Sequence, residues 1–176
     1  MKTYFWLVLY YGLARHLPAS TNRYLGTFSK QVRGYLCSKI FKQCGRNINI
    51  EKGAWFGKGN ELVIGENSGL GINCKVNFNT VIGRDVMMGP NFYMLESTHL
   101  FNSIDVPMRL QGRKKERDQL IIEDDVWIGR DVMVIGSKKI MRGSIIGARC
   151  LLVKNFPEYS VIGGNPSKLI KKRVVI

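Results

Sequence analysis

Aliphatic residues recur at every sixth position along most of this 176-residue chain. One run covers residues 64–94 and a second covers 122–152, and neither run has a miss. The positions are Ile64, Leu70, Val76, Ile82, Met88 and Met94, then Ile122, Ile128, Val134, Ile140, Ile146 and Leu152. A period of six fits neither the 3.6-residue period of an α-helix nor the simple alternation of a strand. The pattern therefore indicates a repeat protein.

Each six-residue unit predicts a short extended segment followed by a turn. Gly often follows the aliphatic residue, as at Gly65 and Gly129, and Gly, Asn and Asp tolerate the backbone angles of tight turns. A single unit cannot fold alone, but stacked units bury a continuous column of side chains. Two earlier units begin at Ile50 and Phe56, before a small insertion at residues 58–62. We expect this β body to span residues 46–163, followed by a basic tail at 164–176.

The first 45 residues lack the repeat and begin with a strongly apolar, aromatic-rich stretch at positions 4–14. The stretch is too short to cross a bilayer, which needs about 20 apolar residues. We predict a helical segment at 1–45. One interpretation is an amphipathic helix that packs on the body or on a neighbouring subunit. The other is a helix lying on a membrane surface, which the nearby Lys2, Arg15, Arg23, Lys30 and Arg33 would favour.

The repeat stops after Met94 and resumes at Ile122. A solenoid that pauses in this way extrudes a loop, here predicted at residues 100–119, and long loops in compact folds are often functional. His99 stands at the start of this loop and is the only histidine of the repeat region. The break is therefore where we expect chemistry.

Composition narrows the classes of partner. A net charge of +14 favours an anionic partner, but no nucleic-acid-binding signature is present. The four cysteines form no CxxC pair, which predicts reduced thiols in a cytoplasm. Cys74 and Cys150 fall within the repeats, where small core residues are expected. We predict no metal. A β-helical carbonic anhydrase site would need three histidine ligands, and the repeat region contains only His99.

The unit Ile-Gly-x-x-x, as at residues 64–69 and 128–133, closely resembles the hexapeptide-repeat acyltransferase family over about residues 46–173. The resemblance implies a left-handed parallel β-helix with three hexapeptides per triangular coil. It also implies a homotrimer with acyl-CoA bound between subunits. The segments 89–91 and 125–129, with His99 between them, match the sugar O-acetyltransferase branch, which includes maltose, galactoside and capsular-polysaccharide acetyltransferases.

In that branch the histidine at the position of His99 is the catalytic base. An imidazole that titrates near neutrality can take the proton of a sugar hydroxyl as the oxygen attacks a thioester. We predict direct transfer without an acyl-enzyme, because no cysteine has a histidine beside it in sequence. Either Glu96 or a backbone carbonyl could orient His99, and the sequence leaves both open.

Two further positions resemble substrate-contacting residues of the family. Asn77 matches an asparagine that contacts the acceptor sugar, although asparagine in such a turn is commonly structural. Trp127 matches a tryptophan beside the catalytic histidine and the pantetheine arm, although an aromatic at a corner can simply fill space. The chain lacks the acidic acceptor ligand of galactoside acetyltransferases, which indicates a different acceptor.

Four positions resemble the family's CoA site. Ala148 matches the coil whose backbone meets the pantetheine, and Lys154, Lys168 and Lys171 match the region that meets the adenine and phosphates. The family often has arginine at two of these places, and lysine supplies a point charge without the bidentate fork. A basic tail that is simply solvated is the alternative.

These features predict an acetyl-CoA-dependent O-acetyltransferase acting on a sugar of surface polysaccharide or lipopolysaccharide. We expect it in the cytoplasm, with peripheral contact at the inner face of the cytoplasmic membrane through the N-terminal segment. The alternatives are an antibiotic O-acetyltransferase, which shares the loop histidine, and a non-catalytic hexapeptide scaffold.

Overall fold

The computed structural model describes residues 2–95, 99–113 and 118–173. Two helices come first, α1 (Lys2–Gly12) and α2 (Gly26–Ile40), with a 3₁₀ turn at Ala14–His16 between them. Short strands make up most of the rest. Their bounds are β1 (Gln43–Cys44), β2 (Asn49–Ile50), β3 (Val63–Ile64), β4 (Gly69–Leu70), β5 (Val81–Ile82), β6 (Met87–Met88), β7 (Tyr93–Leu95), β8 (Leu120–Ile122), β9 (Trp127–Ile128), β10 (Met133–Ile135), β11 (Lys138–Ile140), β12 (Ile145–Ile146), β13 (Leu151–Leu152), β14 (Ser160–Gly163) and β15 (Lys168–Lys172).

The strands form parallel sheets that the chain visits in turn. The first sheet has the order β1-β3-β5-β8-β11, the second β6-β9-β12-β14-β15 and the third β7-β10-β13. The β2–β4 pair continues the second sheet through a 3.1 Å hydrogen bond from the Gly69 amide to the Val86 carbonyl. Val63 pairs with Val81, and Trp127 with Ile145, 18 residues on in both cases. Three six-residue units therefore separate these strands from their neighbours in the sheet.

The predicted inward column is confirmed. Eleven of the twelve aliphatic positions are buried to 2% exposure or less, and Met88 is half-buried. Ile50 and Phe56 extend the column toward the N-terminus and are fully buried. Cys74 and Cys150 are also buried, as predicted for small core residues. Burying this column removes a large apolar area from water, which is the main stabilising term for a solenoid.

The turns explain the Asn and Asp residues of the repeat. Asn67, Asp85 and Asp125 all adopt positive φ, which these residue types tolerate better than most. Their side chains also stack from turn to turn: the Asn67 amide donates to Asp85 Oδ1 at 3.0 Å, and that of Asn91 donates to Asp131 Oδ1 at 2.8 Å. The turn residues thus satisfy each other along the corners of the body.

The break in the repeat leaves all three sheets in register. Across it, Val81 pairs with Ile121 and Tyr93 with Met133, 40 residues on instead of 18. The extra chain therefore leaves the body and returns to it within one turn of the winding. Its described part, residues 99–113, contains a 3₁₀ turn at Met108–Leu110.

The two helices cover the N-terminal end of the β body, as one of the two interpretations predicts. Tyr10 is fully buried, its hydroxyl donates to the Ala54 carbonyl at 3.0 Å, and its ring lies 4.6 Å from that of Phe56. Arg33 of α2 is also buried and donates to the carbonyls of Ile50, Leu17 and Pro18. At the other end, residues 168–172 of the predicted basic tail form β15, which pairs antiparallel with β14.

Candidate active site

We call the segment that interrupts the repeat, described at residues 99–113, the arm. His99 is its first described residue, and contacts between the two ends of the segment close it. His99 forms an isolated antiparallel bridge with Arg113, and the Leu100 amide donates to the Gly112 carbonyl at 3.1 Å. Further out, the Gln111 side-chain amide donates to the Ser103 carbonyl at 2.9 Å. The His99 side chain is exposed, so a substrate can reach its imidazole. Glu96, a predicted orienting group, lies outside the described residues.

Asn77 lies at the point where the arm returns to the body. It is 3% exposed, its side-chain amide donates to the Asp118 carbonyl, and its Oδ1 accepts from the Thr80 hydroxyl. Asp118 in turn accepts from the amide and hydroxyl of Ser137, both at 3.1 Å. Both ends of the Asn77 side chain are therefore engaged in holding the base of the arm.

Trp127 projects from the second sheet and is 52% exposed. The pairing register places Met87 and Ile145 on either side of it, followed by Val161 and then Lys171 in the same row. With strands about 4.8 Å apart, three steps put Trp127 and Lys171 roughly 14 Å from each other. The structure thus brings a predicted substrate-contacting residue and a predicted cofactor-contacting residue onto one face.

The other predicted CoA-binding residues lie on the last turns of the body. Ala148 is exposed at a turn that stacks on Gly129, where an added Cβ would come within 2.7 Å of the Ala148 nitrogen. The Val153 amide donates to the Ser167 hydroxyl at 3.2 Å, which brings the next residue of each segment, Lys154 and Lys168, into the same region. A side chain at position 129 would therefore collide with the backbone beneath Ala148, which explains the glycine there.

The predicted CoA lysines are available cations. Lys154, Lys168 and Lys171 are exposed, and within residues 2–95, 99–113 and 118–173 none of them forms an ion pair. The Lys154 ammonium lies 5.4 Å from the centre of the Phe156 ring. Three uncompensated ammonium groups on adjoining strands and turns suit a ligand with several phosphates.

The cysteine side chains are poor candidates for a nucleophile. Burial raises the pKa of the Cys74 thiol to about 12 and that of the Cys44 thiol to about 11. Burial also raises the pKa of the Cys37 and Cys150 thiols. A thiol reacts as its thiolate, so these groups stay unreactive near neutral pH. In the described part of the chain, no three His, Cys, Asp or Glu side chains are grouped as a metal site would require.

The third sheet also carries a cluster of aromatic and basic side chains that the repeat pattern does not predict. Trp55, Lys75 and Tyr93 are neighbours in a row of bridges that extends the third sheet. The Lys75 ammonium lies 4.9 Å from the centre of each ring and 3.1 Å from the Tyr93 hydroxyl. No carboxylate pairs with Lys75 among the residues with described positions. The spacing of the three residues was visible in the sequence, but only the pairing register shows that they touch.

Comparison with known proteins identifies the family. No protein-family model matches the sequence. Chloramphenicol acetyltransferase of Escherichia coli is 38% identical over 84 residues, which is 48% of this chain but only 37% of that protein. The putative acetyltransferase YJL218W of Saccharomyces cerevisiae is 32% identical over 150 residues, covering 84% of this chain and 74% of that protein.

Solved structures agree with the sequence relatives. A maltose O-acetyltransferase from Clostridium difficile superposes with a TM-score of 0.74 at 26% identity, covering 97% of this chain and 86% of the other. A hexapeptide-repeat acetyltransferase from Vibrio cholerae, complexed with acetyl-CoA, shares the fold with a TM-score of 0.68 at 23% identity, covering 80% of this chain and 75% of the other. The chain belongs to the hexapeptide-repeat acetyltransferase family.

Proposed function

We propose that the protein is an acetyl-CoA-dependent O-acetyltransferase on a left-handed parallel β-helix, and that it acetylates a sugar hydroxyl. The observation that carries the proposal is the exposed His99 on an arm that interrupts a regular repeat without disturbing the sheets. A non-catalytic scaffold would need no such arm. The likeness to a maltose O-acetyltransferase over nearly the whole chain supports a sugar acceptor.

In the proposed reaction, His99 removes the proton from the acceptor hydroxyl as its oxygen attacks the thioester carbonyl of acetyl-CoA. The carbon–sulfur bond then breaks, the acetyl group remains on the sugar oxygen, and the CoA sulfur leaves and is protonated. The elevated pKa of the cysteine thiols supports direct transfer, because no thiolate is available to form an acyl-enzyme.

The proposed CoA site comprises Ala148 and the three exposed lysines, Lys154, Lys168 and Lys171. The lysines would pair with the phosphates as point charges, and Trp127 would lie along the pantetheine arm. Asn77 remains our proposed acceptor contact. Because both ends of its side chain are already engaged, an acceptor would have to share or displace one of these hydrogen bonds.

We propose that the enzyme works as a homotrimer. His99 follows a strand of the third sheet, whereas Trp127 and Lys171 lie on the second. A second copy would bring these two faces together across a cleft. The arm supports this arrangement, because its apolar side chains Phe101, Ile104 and Met108 are exposed to 65%, 100% and 63%. Apolar groups exposed in this way commonly mark a contact with another chain.

We place the acceptor in surface-polysaccharide or lipopolysaccharide synthesis, in the cytoplasm at the inner face of the membrane. The Trp55–Lys75–Tyr93 row supports an anionic sugar there. Aromatic rings offer apolar faces on which a sugar can stack, and an ammonium without a carboxylate partner can bind an acidic substituent.

A second candidate function is acetylation of an antibiotic. The 38% identity with chloramphenicol acetyltransferase over 84 residues favours it. An apolar xenobiotic would make no use of the Lys75 ammonium, whereas an acidic glycan would. The two functions therefore differ in how they respond to loss of that charge.

The test is CoA release from acetyl-CoA with a panel of neutral sugars, uronic-acid glycosides and chloramphenicol as acceptors. We expect turnover with a sugar and a roughly 10²–10⁴-fold loss of kcat in His99→Ala. His16→Ala, which changes the other histidine of the chain, is the matched control and should keep full activity. Normal turnover of His99→Ala would contradict the mechanism, and turnover with chloramphenicol alone would favour the second candidate.

A further inference from the structure

The outer surface of the two N-terminal helices is unusually apolar. Among the exposed side chains are Tyr4, Phe5 and Val8 of α1, Leu13, and Tyr24, Leu25, Phe28 and Tyr35 in and around α2. We call these eight residues the apolar cap surface. A solvent-facing helix surface ordinarily carries charged residues, but α1 has none after Lys2. This surface is therefore better suited to contact with an apolar partner than with water.

The segment that carries the apolar cap surface is basic, and three of its cations, Arg33, Lys42 and Arg46, pair with Glu51, Glu61 and Glu66 of the β body. Residues 1–50 contain eight Lys and Arg and no Asp or Glu. Two of the basic side chains lie against rings of the surface: the Arg23 guanidinium is 6.0 Å from the centre of the Tyr24 ring, and the Lys39 ammonium is 5.3 Å from that of Tyr35. Aromatic and cationic groups in this mixture suit the interface between lipid headgroups and acyl chains.

The geometry allows the helices to lie on a bilayer but not to cross it. α1 has 11 residues and is therefore about 16 Å long, roughly half the thickness of the hydrocarbon core. No helix in the described part of the chain is long and apolar enough to span a membrane. The opposite side of α1 is occupied by packing, since Tyr10 is buried against the β body.

We infer that the apolar cap surface binds the face of a membrane rich in anionic lipid. Phe5, Val8 and their apolar neighbours would enter the headgroup boundary, and Arg23 and Lys39 would meet lipid phosphates. The inference deepens the proposed location of the enzyme but does not depend on its chemistry. Lipid binding can be measured without any acceptor or CoA, so failure of one idea is distinguishable from failure of the other.

The test is co-sedimentation of the full chain with vesicles of phosphatidylcholine alone or with about 30% phosphatidylglycerol. We expect the wild-type protein to bind the anionic vesicles at least about tenfold more strongly, with the difference shrinking at 0.5 M NaCl because salt screens the attraction. The variant Phe5→Ser/Val8→Ser should lose most of the binding, and Arg23→Glu/Lys39→Glu should lose the preference for anionic lipid.

The controls are matched in exposure. Ile170→Ser removes an exposed apolar side chain from β15, and Arg109→Glu reverses an exposed charge on the arm; neither should change vesicle binding. Circular dichroism checks that every variant is folded. Equal partitioning of the wild type and Phe5→Ser/Val8→Ser would overturn the inference. A smaller assembly of that variant in sedimentation velocity would also overturn it, by showing that the surface contacts a second copy of this chain.

Discussion

At the scale of single residues, Lys75 is the side chain that most directly suggests the charge of the proposed acceptor. Its ammonium lies between two rings and has no carboxylate partner in the described ranges. The rings can stack on the face of any sugar, whereas the ammonium group binds an anionic substituent more strongly than a neutral hydroxyl. The identity of this residue should therefore control specificity rather than catalysis.

We predict that Lys75→Gln raises KM for a uronic-acid acceptor roughly tenfold and leaves kcat almost unchanged, since one lost charged hydrogen bond costs about 1.5 kcal/mol. A neutral sugar acceptor should be unaffected. Steady-state kinetics with the acidic and neutral forms of one glycoside measure the difference. Lys52→Gln, at an exposed position outside the row, is the control. An equal loss with both acceptors would show that Lys75 only supports the fold.

At the scale of elements, the arm is an insertion that leaves the pairing of the strands on either side of it unchanged. Strands on either side of it pair at a distance of 40 residues instead of 18, as at Val81 and Ile121. Residues 96–117 make up that difference. Leu95 pairs with Ile135, and Asp118 bonds to Ser137, so the two flanking residues already lie on neighbouring positions of the same turn.

We predict that removing residues 96–117 and joining Leu95 to Asp118 leaves a folded β body with a cooperative thermal transition. The reason is that the deletion restores the 18-residue spacing seen elsewhere. Transferase activity should be lost, because His99 is removed. Far-UV circular dichroism and the CoA-release assay measure the two effects. A chain that no longer folds would show that the arm stabilises the sheets.

At the scale of the whole molecule, the helices and the β body are joined by a buried ion pair. Arg33 of α2 lies 3.6 Å from Glu51, and the carboxylate also accepts from the Ser20 amide at 3.0 Å and from the Ser20 hydroxyl. Burial raises the pKa of Glu51, but the hydrogen bonds from Ser20 and Asn49 outweigh it and hold the pKa below its ordinary value of 4.5. The charged form is therefore the one that the fold stabilises.

We predict that Glu51→Gln destabilises the protein by about 3 kcal/mol at pH 7, because it leaves the Arg33 charge buried without its partner. A carboxyl with a lowered pKa stabilises the fold above its unfolded value, and this contribution is lost as the pH falls through the folded value. The wild type should thus lose stability below pH 4.5, and the variant should lose less there.

Urea unfolding at pH 7 and pH 4 measures both effects. Glu61→Gln is the control, since Glu61 forms an exposed pair with Lys42 at 3.0 Å. Exposed pairs contribute little, so this variant should cost at most about 1 kcal/mol. Equal destabilisation by the two variants would show that the buried pair has no special role.

Much of the fold could be predicted from the sequence, because a repeat protein uses only local and nearest-neighbour contacts. The column from Ile64 to Leu152 determined which side chains are buried, and the Asn and Asp residues marked the turns. The break in the column determined where the arm leaves the body. His99 was visible because it is the one histidine of the repeat region, at that break.

Only the tertiary structure decided which outward side chains touch, because those contacts depend on the register between strands far apart in sequence. It placed Trp127 and Lys171 in one row, brought Lys75 between Trp55 and Tyr93, and engaged both ends of Asn77 at the base of the arm. It also selected which side of α1 packs on the body, leaving Phe5 and Val8 exposed. The physical reason is that a periodic pattern specifies burial along the chain, whereas contacts between outward side chains depend on how the turns stack.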